Sequence, residues 1–112
     1  MQNNKVFDES IMHSLIGEEP ELISEYQLEF YKQSITTLKE IALLFNKKDF
    51  QALKESAHFL KTSAKAIGAM RCASTLQALE DTAREANKQE SYRLIMQLKT
   101  DITDFKQILS KI

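Results

Sequence analysis

His58 is the residue of this chain best placed to do chemistry. It lies in the stretch Ala57-His58-Phe59-Leu60-Lys61-Thr62-Ser63-Ala64-Lys65-Ala66-Ile67-Gly68-Ala69. At about 100° per residue, Leu53, Ala57, Leu60, Ala64 and Ile67 fall on one side of a helix, and Lys54, His58, Lys61, Thr62 and Lys65 fall on the other. Packing explains the apolar side but not an outward imidazole with ammonium groups one and two turns away. A neutral imidazole nitrogen is a nucleophile at cytoplasmic pH without a separate base. Nearby lysines offset the charge of an anionic group transferred to it. The arrangement suits a site that handles phosphate, with Lys61 the nearest cation and Lys54 and Lys65 further off.

Other chemistries lack their parts. The two glycines, Gly17 and Gly68, stand outside any glycine-rich loop, so the phosphate cradle of kinases and NTPases is missing. Two histidines, one cysteine and no CxxC or HExxH pattern argue against a closed zinc site, and no cofactor is expected. Glu55 and His58 form a Glu-x-x-His pair of the kind di-iron bundles use. Those bundles need a second pair and two more inward glutamates. The other histidine, His13, has Ser10 three residues before it, and His58 lies opposite the apolar stripe. No strained nucleophile turn marks a serine hydrolase. His13 reads as an ordinary solvated histidine, and the tyrosines, Met70 and Met96 as core or core-edge residues. Cys72 reads as a small packed side chain, consistent with a reducing compartment. Fifteen basic and sixteen acidic residues leave a formal net charge of −1, which gives no field for nucleic acid. No apolar run approaches the roughly 18 residues of a membrane span. Residues 1–5 carry no signal-peptide features. The expected location is the cytoplasm.

The elements that must position His58 are helices. With two glycines and one proline in 112 residues, the rest is rich in Leu, Ala, Glu, Lys and Gln, the residues that cost least in a helix. The length allows one domain, residues 1–112. Asp8 is a candidate cap for a short first helix ending at Gly17, with Phe7, Ile11, Leu15 and Ile16 on its apolar face. Pro20 starts a second, running from about Glu19 to Asn46. Ile23, Tyr26, Phe30, Leu38, Ile41 and Leu44 form its stripe, widened by Leu28, Tyr31, Ile35 and Phe45. Asp49 caps the histidine helix and Gly68 closes it. A fourth helix runs from Met70 to about Ala86, with Ala73, Leu76, Leu79 and Ala83 inward. After Asn87-Lys88-Gln89, a fifth runs from about Glu90, its seam Tyr92, Ile95, Leu98, Ile102, Phe105, Leu109 and Ile112. The expected fold is all-α: an antiparallel up-and-down four-helix bundle with a short N-terminal helix capping one end.

The stretch around His58 resembles the histidine-containing phosphotransfer (HPt) family of two-component phosphorelays. The family's Ala-His pair, Leu-Lys pair, small residues and apolar-Gly-Ala step stand here as Ala57-His58, Leu60-Lys61, Ser63-Ala64 and Ile67-Gly68-Ala69. The likeness extends to Glu19-Pro20-Glu21, Lys48-Asp49 and Leu79-Glu80, from about Phe7 to the C-terminus. It implies that His58 takes a phosphoryl group from a receiver-domain aspartate and passes it to a second receiver, which supplies any metal ion. One receiver would belong to a hybrid sensor kinase and the other to a response regulator. The chain would have no kinase or ATPase activity and would act as a monomer. The resemblance also implies that the outer ring nitrogen attacks while the inner one donates to the next helix, to Glu80 or, failing that, Gln77. Receiver contacts are expected from Lys54, Phe59, Thr62, Ile11 and Leu15. One position departs from the family. After the lysine the family usually has glycine, and here stands Thr62, which narrows the space for an incoming receiver. The competing reading is a helical interaction module that binds receivers without transferring phosphate.

Overall fold

The fold comes from a computed structural model that describes residues 6–111, with side chains through Leu109. Five helices follow one another: α1 (Glu9–Ile16), α2 (Pro20–Asn46), α3 (Phe50–Ile67), α4 (Met70–Arg84) and α5 (Lys88–Lys111). Their boundaries have local causes. The Asp8 carboxylate accepts from the Ser10 amide, and the Asp49 carboxylate from the Ala52 amide, each at 3.1 Å. Both satisfy first-turn donors that the helix leaves orphaned. Pro20 opens α2 where its missing N–H is not needed. Gly68 ends α3 in the left-handed region (φ 86°), and the amides of Gly68 and Ala69 bond back to Lys65 and Ala64. That is the Schellman closure, which favours glycine. The Gly68 carbonyl also accepts from the Asp8 amide at 2.7 Å, and a Cβ on residue 68 would overlap the Asp8 carbonyl oxygen.

α2 packs on α3 and α5, and α4 packs on the same two, so the four long helices form a four-sided antiparallel bundle. α1 lies across one end against α3 and α2. The core takes Ile23, Phe30 and Ile41 from α2, the Leu53–Ile67 stripe from α3, Leu76 and Leu79 from α4, and Leu98, Ile102 and Phe105 from α5. Phe105 receives edge-on contacts from Phe30 (5.4 Å) and Phe7 (5.6 Å), which ties the N-terminal segment to the centre. Each fully buried leucine stabilises the fold by about 1.5–3 kcal/mol. No helix among the described residues is long and apolar enough to cross a membrane.

The seams differ in detail from the hydropathy stripes. In α2, Tyr26 and Leu28 are exposed, and the polar Gln27 and Ser34 point inward. The Ser34 hydroxyl donates to the Tyr31 carbonyl at 2.7 Å, so it is buried with its bond made. In α5, Tyr92 is exposed at the rim beside Phe45, while Ser91 and Asp101 are fully buried. Ser91 pairs with Thr82, and Asp101 accepts from Thr75 and Gln97. α1 is anchored by Met12, not Leu15, which is exposed. α4 stops at Arg84, two residues early, with Ala86 left-handed (φ 53°). α5 starts two residues early because the Asn87 side chain accepts from the Glu90 amide. The expectations for residues 1–5 and for Ile112 lie outside the described residues.

Candidate functional site

His58 projects from α3 with its side chain 59% exposed. Its Nδ1 lies 3.1 Å from Oε2 of Glu80, on α4. Glu80 is itself almost buried, and Lys61 Nζ sits 2.9 Å from its other oxygen. Arg84, one turn further along α4, approaches Oε2 at 3.7 Å. Burial alone would push the Glu80 carboxyl up. The hydrogen bonds and charges of Lys61 and His58 outweigh it and hold Glu80 below the usual carboxylate range. An ionised carboxylate only accepts hydrogen bonds, so Nδ1 must carry the proton. The neutral ring then has its lone pair on Nε2. The cluster therefore fixes a tautomer and an orientation, and leaves a nucleophilic nitrogen in an exposed ring.

Lys61 is the main correction to the sequence reading. It is not on the open face but 8% exposed, held between Glu80 and the Gln77 side-chain oxygen, to which it donates at 2.7 Å. The reason is its angle: three residues past His58, it sits about 60° to one side on the helix wheel. That side is the one α4 covers. Its ammonium is committed to α4, so its influence on His58 passes through Glu80. Gln77, the fallback partner for the imidazole, instead anchors Lys61. Arg84 escaped notice, although its i,i+4 spacing from Glu80 was a signal.

The remaining candidates take no part in the side-chain hydrogen bonds of this cluster. Lys54 is half-buried and Lys65 exposed. Phe59 stands out at 66% exposure, and Thr62 is exposed with its hydroxyl donating to the His58 carbonyl at 3.3 Å. On α1, Ile11 is half-buried. Leu15 lines a groove of about 320 Å³ together with Met12, Tyr26, Phe30, Ser63 and Ile67. The groove joins α1 to the later turns of the histidine helix. Cys72 is packed, and burial pushes its thiol up to about 12, which makes it inert as a nucleophile at neutral pH.

Of the two exposed histidines, His58 is the one oriented by a nearly buried carboxylate. Comparison with known families identifies the class of protein: residues 25–108 match the Hpt domain. Among solved structures, histidine-containing phosphotransfer protein B (HptB) of Pseudomonas aeruginosa PAO1 superposes with a TM-score of 0.85 at 24% identity, covering 98% of this chain and 99% of that one. A candidate histidine-containing phosphotransfer protein from rice gives 0.81 at 20% identity, over 94% and 80%. At these identities the structural likeness speaks for the fold. No curated protein sequence matches. The chain belongs to the Hpt domain family and is a histidine phosphotransfer intermediate of a phosphorelay, the setting in which such proteins work with receiver domains.

Proposed function

We propose that His58 is the phospho-acceptor of this chain. The Nε2 lone pair attacks the phosphorus of a receiver's phospho-aspartate, the P–O bond breaks, and the aspartate leaves as a carboxylate. Nε2 has no proton to lose in this tautomer, so no general base is required. The same bonds are exchanged in reverse with the aspartate of a second receiver. The observation that carries the reading is the Nδ1–Glu80 contact in a ring that stays largely open. Glu80 and Lys61 act as positioning residues, with Lys61 keeping the carboxylate charged. Lys65 and Lys54 offset the phosphoryl charge through solvent, at distances where screening matters. Phe59 and Thr62, with Ile11 and Leu15 on α1, form the contact surface for receivers of a hybrid kinase and a response regulator. Residues 1–112 act as one monomeric unit in the cytoplasm.

Incubation with a phosphorylated receiver tests this. The expected product is an acid-labile, base-stable phosphate on this chain, absent in His58→Gln, whose melting behaviour stays close to the parent because the side chain it replaces is mostly exposed. Phosphate retained by His58→Gln overturns the assignment. Receiver binding with no phosphate on either protein form favours the pure interaction module.

A further inference from the structure

The side of the bundle opposite His58 carries a second organised surface. α2 and α5 are neighbours there, as α3 and α4 are on the histidine side. Between them runs an apolar groove of about 410 Å³, lined by Ile35, Leu38, Ala42, Ile95, Met96 and Ile102. Lys39 of α2 and Lys99 of α5 stand in its walls. Lys32 lies seven residues before Lys39, and Lys106 seven after Lys99, so each helix repeats its lysine at about 10.5 Å along its axis. Lys106 lies over the Tyr31 ring of α2, 5.6 Å from its centroid. Lys39 and Lys99 therefore face each other across the groove, and Lys32 extends the α2 side by two turns.

The carboxylates of the same spans are all turned elsewhere. From Lys32 to Asn46 the one acidic residue of α2 is Glu40, which accepts from Ser56 of α3. From Tyr92 to Lys106 the acidic residues of α5 are Asp101 and Asp104, and both face α4, bonded to Thr75 and Arg71. A chain with a formal net charge of −1 thus presents Lys39 and Lys99 on an apolar groove whose neighbouring α2 and α5 carboxylates, among the described residues, are bonded elsewhere. Leu43 and Met96, 59% and 46% exposed, extend the apolar area outward.

We propose that the α2–α5 face is a second docking site, which takes an acidic amphipathic helix of a protein partner. A helix laid along the groove places one apolar ridge between α2 and α5, and glutamates on either side of that ridge meet Lys39 on one wall and Lys99 on the other. The narrow concave form favours a helix over a flat lipid surface. The site is independent of His58, so a partner held here leaves the histidine free for receivers.

The test uses the full chain and a labelled synthetic helix with leucines at i, i+3 and i+7 spacing flanked by glutamates. Its control has the glutamates replaced by glutamine. Fluorescence anisotropy should show binding of the acidic helix that weakens more than tenfold in K39E/K99E and for the glutamine control. Phosphate acceptance by His58 should stay unchanged in K39E/K99E, and circular dichroism should confirm intact folding. Equal binding by parent and K39E/K99E overturns the proposal, as does failure of the acidic helix to bind the parent chain. Binding to vesicles of phosphatidylglycerol and phosphatidylcholine in equal parts, with no binding to the helix, overturns it in favour of a lipid surface.

Discussion

Replacing Lys61 by methionine should destabilise the protein although the residue looks, on a helix wheel, like a surface lysine. Methionine keeps most of the stem and removes the ammonium that faces Glu80 at 2.9 Å and Gln77 at 2.7 Å. The Lys61 and Glu80 side chains are each only 10% exposed. Removing one partner of a fully buried pair costs about 3–5 kcal/mol. Here His58 and Arg84 remain beside the carboxylate and some solvent reaches it, so about 2–3 kcal/mol is expected. In a chain of this size that lowers the melting temperature by roughly 10 °C. Lys65→Met, on an exposed position, should change stability by no more than about 0.5 kcal/mol. Adding Glu80→Gln to Lys61→Met should recover part of the loss, because it removes the charge left stranded. Urea titrations of the four proteins, with Glu80→Gln alone completing the cycle, measure the coupling. Equal stabilities for Lys61→Met and Lys65→Met would refute the claim that Lys61 holds a desolvated carboxylate.

Three further outcomes are expected. Thr62→Gly should lose about 0.3–1 kcal/mol of stability in thermal melts. It should also transfer phosphate faster or accept more receivers, because the threonine hydroxyl is occupied by the His58 carbonyl and its remaining effect is bulk; slower transfer by a folded variant would assign the hydroxyl a role in holding the phosphoryl group. Gly68→Ala should destabilise by about 1–2 kcal/mol for the left-handed backbone alone, and by more because its Cβ overlaps Asp8, with equilibrium unfolding as the readout. The folded value of Glu80 is depressed from 4.5, so its ionisation adds stability above that pH and the gain is lost as pH falls through the folded value. The stability difference between the parent and Glu80→Gln should accordingly be largest above pH 4.5 and shrink in more acidic unfolding titrations.

The helices were legible because their signals are local. Asp8, Asp49, Gly17, Pro20 and Gly68 mark ends through bonds or dihedrals made within a few residues. The inward stripe of α3 was legible in full, since all five of its apolar residues are buried. The failures share a cause. Ser34, Ser91 and Asp101 face inward because neighbours bond them, and hydropathy cannot register a partner on another turn or helix. Spacing leaves Tyr26 and Tyr92 as core or core-edge residues, and the structure puts both at the rim, where a tyrosine at the edge of a stripe keeps its polar end wet. Lys61 was misplaced because the wheel gives an angle but not which neighbour covers it. The His58–Glu80 pairing came from family resemblance, since composition and spacing contain nothing that joins residues on separate helices.

The bond between the Asp8 amide and the Gly68 carbonyl bears on the order in which the chain assembles. Its two ends are 60 residues apart, so closing it early would confine a long segment for one hydrogen bond. The receiving carbonyl is presented only once α3 has turned left-handed at Gly68 and α4 has begun. α1 should therefore join late, onto a bundle that already exists, and be the first part to detach under mild stress. Detachment would remove Met12 and Leu15 from the groove they line and leave His58 and Glu80 in place, since neither belongs to α1.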